Sequence, residues 1–153
     1  MKHLCEQVLE ALKGKTLATA ESCTGGGIGA AITAVSGSSA VYKGGIISYQ
    51  NEVKRDLLGV SESDLENLGP VSDPVAEQMA KGARNALQSD VAISETGLAG
   101  PGGDTFGNPV GTVYIGYADE KEAFSRRFSF CGNREDIRNQ AIENALQIIL
   151  EKN

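Results

Sequence analysis

Leu4, Val8, Leu9 and Leu12 fall on one stripe at helical spacing, and Gly14 after Lys13 stops the run, so the chain is predicted to open with a helix. Lys15 to Ala20 then reads as a short buried strand. Ile28, Ala31, Ile32 and Val35 return to helical spacing through about Ala34, which makes the intervening Thr19-Ala20-Glu21-Ser22-Cys23-Thr24-Gly25-Gly26-Gly27 a strand-to-helix turn. Ser36 to Ser39 is a turn-rich loop, and Gly44 to Tyr49 reads as the next strand. Asn51 is placed as the N-cap of a short helix over Glu52 to Leu58, and a second short helical piece opens at Ser61 and ends near Gly69-Pro70. Asp73 caps a longer helix with Pro74 in its first turn, whose buried face is Val75, Met79, Ala83, Ala86 and Leu87. Val91 to Ser94 is a brief strand that leads into a second glycine-rich loop, Thr96 to Gly103. The strands Gly111 to Ala118 and Ala123 to Phe130, joined by the charged Asp119 to Glu122, form an antiparallel hairpin. Asn133 or a neighbour starts the last helix, with Ile137, Ala141, Ala145, Leu146 and Ile149 on its apolar face.

Helices alternating with early strands, followed by a hairpin, predict a single-domain three-layer α/β/α sandwich with a mixed, mostly parallel sheet over residues 1–153. No linker, repeat or low-complexity segment divides it. At 153 residues, 41% apolar and 22% charged, the chain has the composition of an ordinary globular domain able to bury its own core. A net charge of −6 without a basic stripe argues against nucleic acid as the main partner. Cys5, Cys23 and Cys131 are odd in number and lack zinc-like spacing, and no apolar run approaches bilayer length, so the expectation is a cytoplasmic protein with reduced thiols and no membrane partner.

Candidate chemistry concentrates where glycine-rich loops leave strands, because ligands of open α/β sheets gather at the carboxyl ends of strands. The first loop carries Ser22 and Cys23 beside Glu21 at a helix start, where unpaired N–H groups favour a developing oxyanion. It is neither a dinucleotide-binding nor a Walker pattern. A serine there needs a base. His3, the only histidine, belongs to the first helix among polar residues, whereas Lys54 follows directly on the strand ending at Tyr49, and a desolvated amine can serve as base near neutral pH. A capped surface helix explains Lys54 equally well by spacing alone. Cys23 is an ordinary buried thiol unless its pKa is depressed. Arg134 and Arg138, one turn apart at the start of the last helix, suit a phosphate or carboxylate clamp or a solvated face.

Five ordered motifs, Ala20-Glu21-Ser22-Cys23-Thr24-Gly25-Gly26, Gly37-Ser38-Ser39, Tyr49-Gln50-Asn51-Glu52-Val53-Lys54, Thr96 to Gly103 and Pro109-Val110-Gly111-Thr112-Val113, closely resemble the CinA C-terminal domain family, which includes stand-alone nicotinamide-mononucleotide amidohydrolases. The resemblance spans almost the whole chain. It implies a three-layer α/β/α fold and hydrolysis of the carboxamide of nicotinamide mononucleotide (NMN) to nicotinic acid mononucleotide and ammonia in NAD salvage. The partner is then a small nucleotide substrate, no metal or organic cofactor is needed, and homo-oligomerisation stays open. Carried onto this chain, the family's serine-lysine dyad falls on Ser22 and Lys54, with Tyr49 assisting, and Ser39 is the alternative nucleophile. Backbone N–H groups of Thr24, Gly25 and Gly26 are expected to hold the oxyanion. Ser39, Thr96, Gly97, Gly100, Arg134 and Arg138 are expected around the substrate, the last two and the second glycine loop at its phosphate. Glu95 departs from the resemblance, standing where the family usually has a small or apolar residue; a carboxylate there is expected to repel the phosphate or tie up an arginine. Two other readings stay open: a non-catalytic nucleotide-binding module, and a Mg²⁺-dependent phosphate-ester or pyrophosphate hydrolase using acids such as Glu21 and Asp104.

Overall fold

A computed structural model describes residues 1–153 and shows a five-stranded sheet in the order β2-β1-β3-β4-β5. The strands are β1 (Leu17–Glu21), β2 (Tyr42–Ile47), β3 (Val91–Gly97), β4 (Thr112–Ala118) and β5 (Ala123–Ser129). β1 pairs in parallel with β2 and β3, and the β4–β5 hairpin continues the sheet antiparallel from β3. Only β4 therefore runs against the other strands, as expected of a mixed, mostly parallel sheet. The helices are α1 (Lys2–Ala11), α2 (Gly27–Thr33), α3 (Asn51–Leu58), α4 (Glu62–Asn67), α5 (Asp73–Leu87) and α6 (Arg134–Lys152). None is long and apolar enough to cross a membrane.

The period-two alternation of strands sorts two cores. Leu17 of β1, Val91 and Ile93 of β3, and Val113, Ile115 and Tyr117 of β4 pack with α1, α2 and α6 through Val8, Leu12, Ile28, Ile32, Ile137, Ala141 and Ile149. Ala18, Ala20 and Ala92 point to the other face, where Val75, Met79 and Ala83 of α5 meet them with Leu58 and Leu65 of α3 and α4. These alanines let α5 lie close over the middle of the sheet. β1 is buried along its whole length because it is central and covered on both faces.

Several boundaries differ from expectation for identifiable reasons. β2 begins and ends two residues earlier than Gly44 to Tyr49, since it is an edge strand whose Ser48 and Tyr49 turn away to serve Lys54. β3 continues three residues past Ser94 because β4 pairs with it as far as Gly97. Helix α3 starts at Asn51 with Gln50 as its cap, and α5 starts at Asp73 with Ser72 as its cap, each one residue from the expected capping position. Ser38 to Ala40 forms a single 3-10 turn that overlaps the end of the Ser36 to Ser39 loop and runs one residue past it. At α6 the cap is as expected: Asn133 accepts from the Asp136 N–H at 2.9 Å, and the Asp136 carboxylate accepts from the Asn133 N–H at 3.0 Å.

Candidate active site

Parallel strands β1, β2 and β3 end on the same side of the sheet, and a cavity of about 310 Å³ opens there. Its floor is Ser22 and Cys23 after β1 and Lys54 of α3; the second glycine loop contributes Thr96 to Gly100 and Gly102, and Tyr49, Pro70, Val71 and Arg134 complete the wall. This is the location that an open α/β sheet offers a ligand, and the size is at the lower end of the about 300–1,000 Å³ usual for ligand cavities.

Alternation carries the chain from β1 into the site. Leu17, Thr19 and Glu21 face the α2 side and Ala18 and Ala20 the α5 side, so the next side chain, Ser22, emerges on the α5 side, where α3 supplies Lys54. Gly25 and Gly26 then turn the chain into α2 with φ of 60° and 100°, the left-handed region that favours glycine. Lys54 Nζ stands 3.1 Å from Ser22 Oγ and donates to the backbone carbonyls of Ser48 at 2.6 Å and Tyr49 at 3.2 Å. The side chain is buried to 1% exposure. Burial pulls its pKa from 10.5 down to about 8, against the opposing pull of the Glu95 charge and of Cys23. A neutral amine has two N–H bonds and one lone pair. With both carbonyls satisfied by those N–H bonds, the lone pair is left for the Ser22 hydroxyl.

Glu21 and Glu95, carried on adjacent strands, meet beneath the turn. Glu21 accepts from the N–H groups of Ile28 at 2.8 Å and Gly29 at 3.0 Å, which anchors the start of α2. Glu95 Oε1 accepts from the Ser22 N–H at 2.7 Å and the Thr24 N–H at 2.9 Å. The Thr24 hydroxyl, with its single hydrogen, lies 2.6 Å from Glu21 Oε1 and 2.9 Å from Glu95 Oε1. From the opposite side, Arg138 donates to the carbonyls of Cys23 at 2.9 Å and Thr24 at 3.0 Å.

These bonds revise several expectations. The Thr24 N–H is taken by Glu95 and the Gly25 N–H by the Ser22 carbonyl at 3.0 Å, so neither is free for an oxyanion. Thr24, Gly25 and Gly26 shape the turn from behind and do not line the cavity. The Cys23 N–H, between the two amides that Glu95 holds, makes no hydrogen bond. Arg134 and Arg138 do not form a pair of clamps: Arg138 is spent on the turn, and Arg134 alone reaches the cavity, where it donates to the Gly100 carbonyl at 2.7 Å and the Tyr49 hydroxyl at 3.3 Å. Tyr49 therefore serves Lys54 with its carbonyl while its phenol meets Arg134. The Thr96 hydroxyl is directed to the Pro70 carbonyl at 2.8 Å. Glu95 makes no hydrogen bond to an arginine and does not line the cavity, so it does not tie up Arg134.

Ser39 is exposed on the 3-10 turn that precedes β2, at the opposite end of that strand from Tyr49, and is absent from the cavity wall. His3 is exposed on α1. Asp104 spends its carboxylate inside its own loop, accepting from the Phe106 and Asn108 N–H groups and the Asn108 side chain, and so shares no site with Glu21. Burial, followed by the Glu95 charge, pushes the Cys23 thiol far up from its usual range, which disfavours a thiolate. Sequence reasoning missed Pro70 and Val71, which reach the wall from the α4–α5 connection, and the Ser48 carbonyl, since a backbone acceptor leaves no residue-type signal.

Comparison with known proteins agrees with this architecture. Residues 1–152 match the CinA C-terminal domain. A CinA-like protein of Rippkaea orientalis is 50% identical over 92% of this chain, which spans only 34% of that relative, so the chain covers about a third of such proteins. The nicotinamide-nucleotide amidohydrolase PncC of Escherichia coli K12 is 44% identical over 99% of this chain and 94% of its own length. Among solved structures, a CinA superfamily protein of Klebsiella pneumoniae superposes with a TM-score of 0.95 at 34% identity, covering 99% of this chain and 96% of its own. A CinA superfamily protein of E. coli gives 0.97 at 32% identity over 99% of this chain and 90% of its own. The chain belongs to the CinA C-terminal domain family.

Proposed function

We propose that this chain hydrolyses the carboxamide of NMN to nicotinic acid mononucleotide and ammonia, as a step of pyridine-nucleotide salvage, with Ser22 as nucleophile and Lys54 as base. The observation that carries it is the buried lysine held 3.1 Å from the serine hydroxyl by two backbone carbonyls. The choice of substrate draws on the similarity to the E. coli amidohydrolase along nearly all of both chains.

Neutral Lys54 accepts the Ser22 proton as Oγ attacks the carboxamide carbon and the carbonyl π electrons move to oxygen. The unpaired N–H of Cys23, the residue after the nucleophile, holds that oxyanion. The Lys54 ammonium then protonates the amide nitrogen, the C–N bond breaks, and ammonia leaves an ester on Ser22. Water, giving a proton to Lys54, attacks the ester, and Lys54 returns that proton to Ser22 as the acid departs. In this reading Arg134 and the backbone of Leu98, Ala99, Gly100 and Gly102, which line the cavity, receive the nucleotide phosphate. The test is product analysis with NMN. Stoichiometric ammonia and nicotinic acid mononucleotide are expected, unaffected by a chelator. Ligand-induced thermal stabilisation without turnover would replace this function with nucleotide binding, and turnover abolished by a chelator would replace it with metal-dependent hydrolysis.

A further inference from the structure

Glu95 is a fully buried acid on β3 and has no part in the chemistry above. Its hydrogen bonds with the turn backbone fall on one oxygen, and its carboxylate also lies against the Cys23 thiol. Oε1 receives the N–H groups of Ser22 and Thr24 and lies beside the Thr24 hydroxyl, whereas Oε2 is buried without a hydrogen-bond partner. A buried carboxylate is costly to keep unless charge-assisted hydrogen bonds compensate it, and here those bonds converge on the nucleophile turn. Of the three successive amides at Ser22, Cys23 and Thr24, the single oxygen binds the first and third and skips the second.

Resting on the Ser22–Lys54 reading, we propose that Glu95 is the positioning residue of this site: one oxygen pins the amides on either side of Cys23, which aims Ser22 at Lys54 and keeps the Cys23 N–H available to the oxyanion. The pin has a counterpart, because Arg138 grips the Cys23 and Thr24 carbonyls from α6. Between them the turn is held through both donors and acceptors, and a displacement of about 1 Å at a reacting group costs on the order of a hundredfold in rate.

The charge of Glu95 acts separately from its hydrogen bonds. The ionisable groups around it are Glu21 on β1, reached through the Thr24 hydroxyl; the Cys23 thiol; and Lys54 on α3, while Arg134 and Arg138 of α6 act on Cys23. At Lys54 the carboxylate supports the ammonium against burial. A neutral acceptor at this position keeps the pin and loses that support.

Two variants separate the two effects. Glu95→Gln retains a carbonyl acceptor, and Glu95→Val retains neither acceptor nor charge. In Glu95→Gln, hydrogen exchange at the Ser22 and Thr24 amides is expected to stay slow, while the Lys54 Nζ titration followed by NMR and the acid limb of kcat/KM both move to lower pH by at least about 0.5. In Glu95→Val, both amides are expected to lose protection and kcat to fall at least about tenfold with KM little changed. Wild-type amide protection and kcat in Glu95→Val, or an unmoved Lys54 titration in Glu95→Gln, would overturn the proposal. If Glu95→Val does not fold, Glu95→Gln decides: an unmoved titration or lost amide protection there overturns it. Exchange and titration need no substrate, so they stand or fall independently of whether NMN is hydrolysed.

Discussion

Lys54 Nζ and Ser22 Oγ lie 3.1 Å apart in a site where the lysine's other two hydrogen-bonding directions are committed to the carbonyls of Ser48 and Tyr49. The two residues reach each other because Ser22 is the first residue past β1 and emerges on the face of the sheet that α3 covers. In the proposed mechanism the protonation state of Lys54 is the variable that turns the pair on.

Activity should therefore follow the neutral form of Lys54. Its pKa is lowered to about 8, so kcat/KM is expected to rise with pH through about 8 and level off above it. A pH-rate profile from 6 to 10 checks this, and a rate already flat below pH 7 contradicts it.

The same group leaves a mark on stability. Its folded-state pKa, about 8, lies below the ordinary 10.5, so between these values the unfolded chain holds more protons than the folded one. Stability attributable to Lys54 is lowest below pH 8 and recovers as pH rises toward 10.5, by roughly 3 kcal/mol in all. The difference in unfolding free energy between wild type and Lys54→Met should shift in favour of wild type across this window. Denaturant titrations at pH 7 and pH 10 measure it.

Cys23 contributes its backbone N–H and a buried thiol whose pKa is pushed up. Cys23→Ser is expected to keep most of the wild-type rate, since the amide is unchanged, and thiol reagents are expected to inactivate slowly. Loss of activity in Cys23→Ser with the fold intact, read by ammonia release and circular dichroism, would instead assign the thiol a chemical role.

The two arginines of α6 should part company. Arg134 faces the cavity, and Arg134→Ala is expected to raise KM for NMN about tenfold to a hundredfold, the range for losing one charge-assisted contact. Arg138 holds the turn, and Arg138→Ala is expected to lower stability by about 1–3 kcal/mol and to reduce kcat more than it raises KM. Steady-state kinetics with thermal melts distinguishes them.

Much of the architecture was legible because its signals are local. The apolar stripes of α1 and α6, the Asn133 cap and the hairpin around Asp119 to Glu122 are patterns within a dozen residues. Ser22 and Lys54 are legible as neighbours of strand exits, although spacing alone fits a surface helix equally well for Lys54; its burial follows from α3 lying against α5. The true use of the turn amides was not legible. Which N–H of Ser22, Cys23 or Thr24 stays free depends on Glu95, a side chain more than seventy positions away whose proximity exists only once β3 lies beside β1. Helical spacing put Arg134 and Arg138 on one face, but it cannot register that the turn's carbonyls claim the second while the cavity receives the first.

The most direct test is ammonia release from NMN at pH 8.5 by Ser22→Ala, Lys54→Ala and Ser39→Ala, each verified as folded. Ser22→Ala is expected to fall by more than about a thousandfold and Lys54→Ala by about a hundredfold to ten-thousandfold, with Ser39→Ala close to wild type. Wild-type turnover in Ser22→Ala, or loss confined to Ser39→Ala, would contradict the assignment of the dyad.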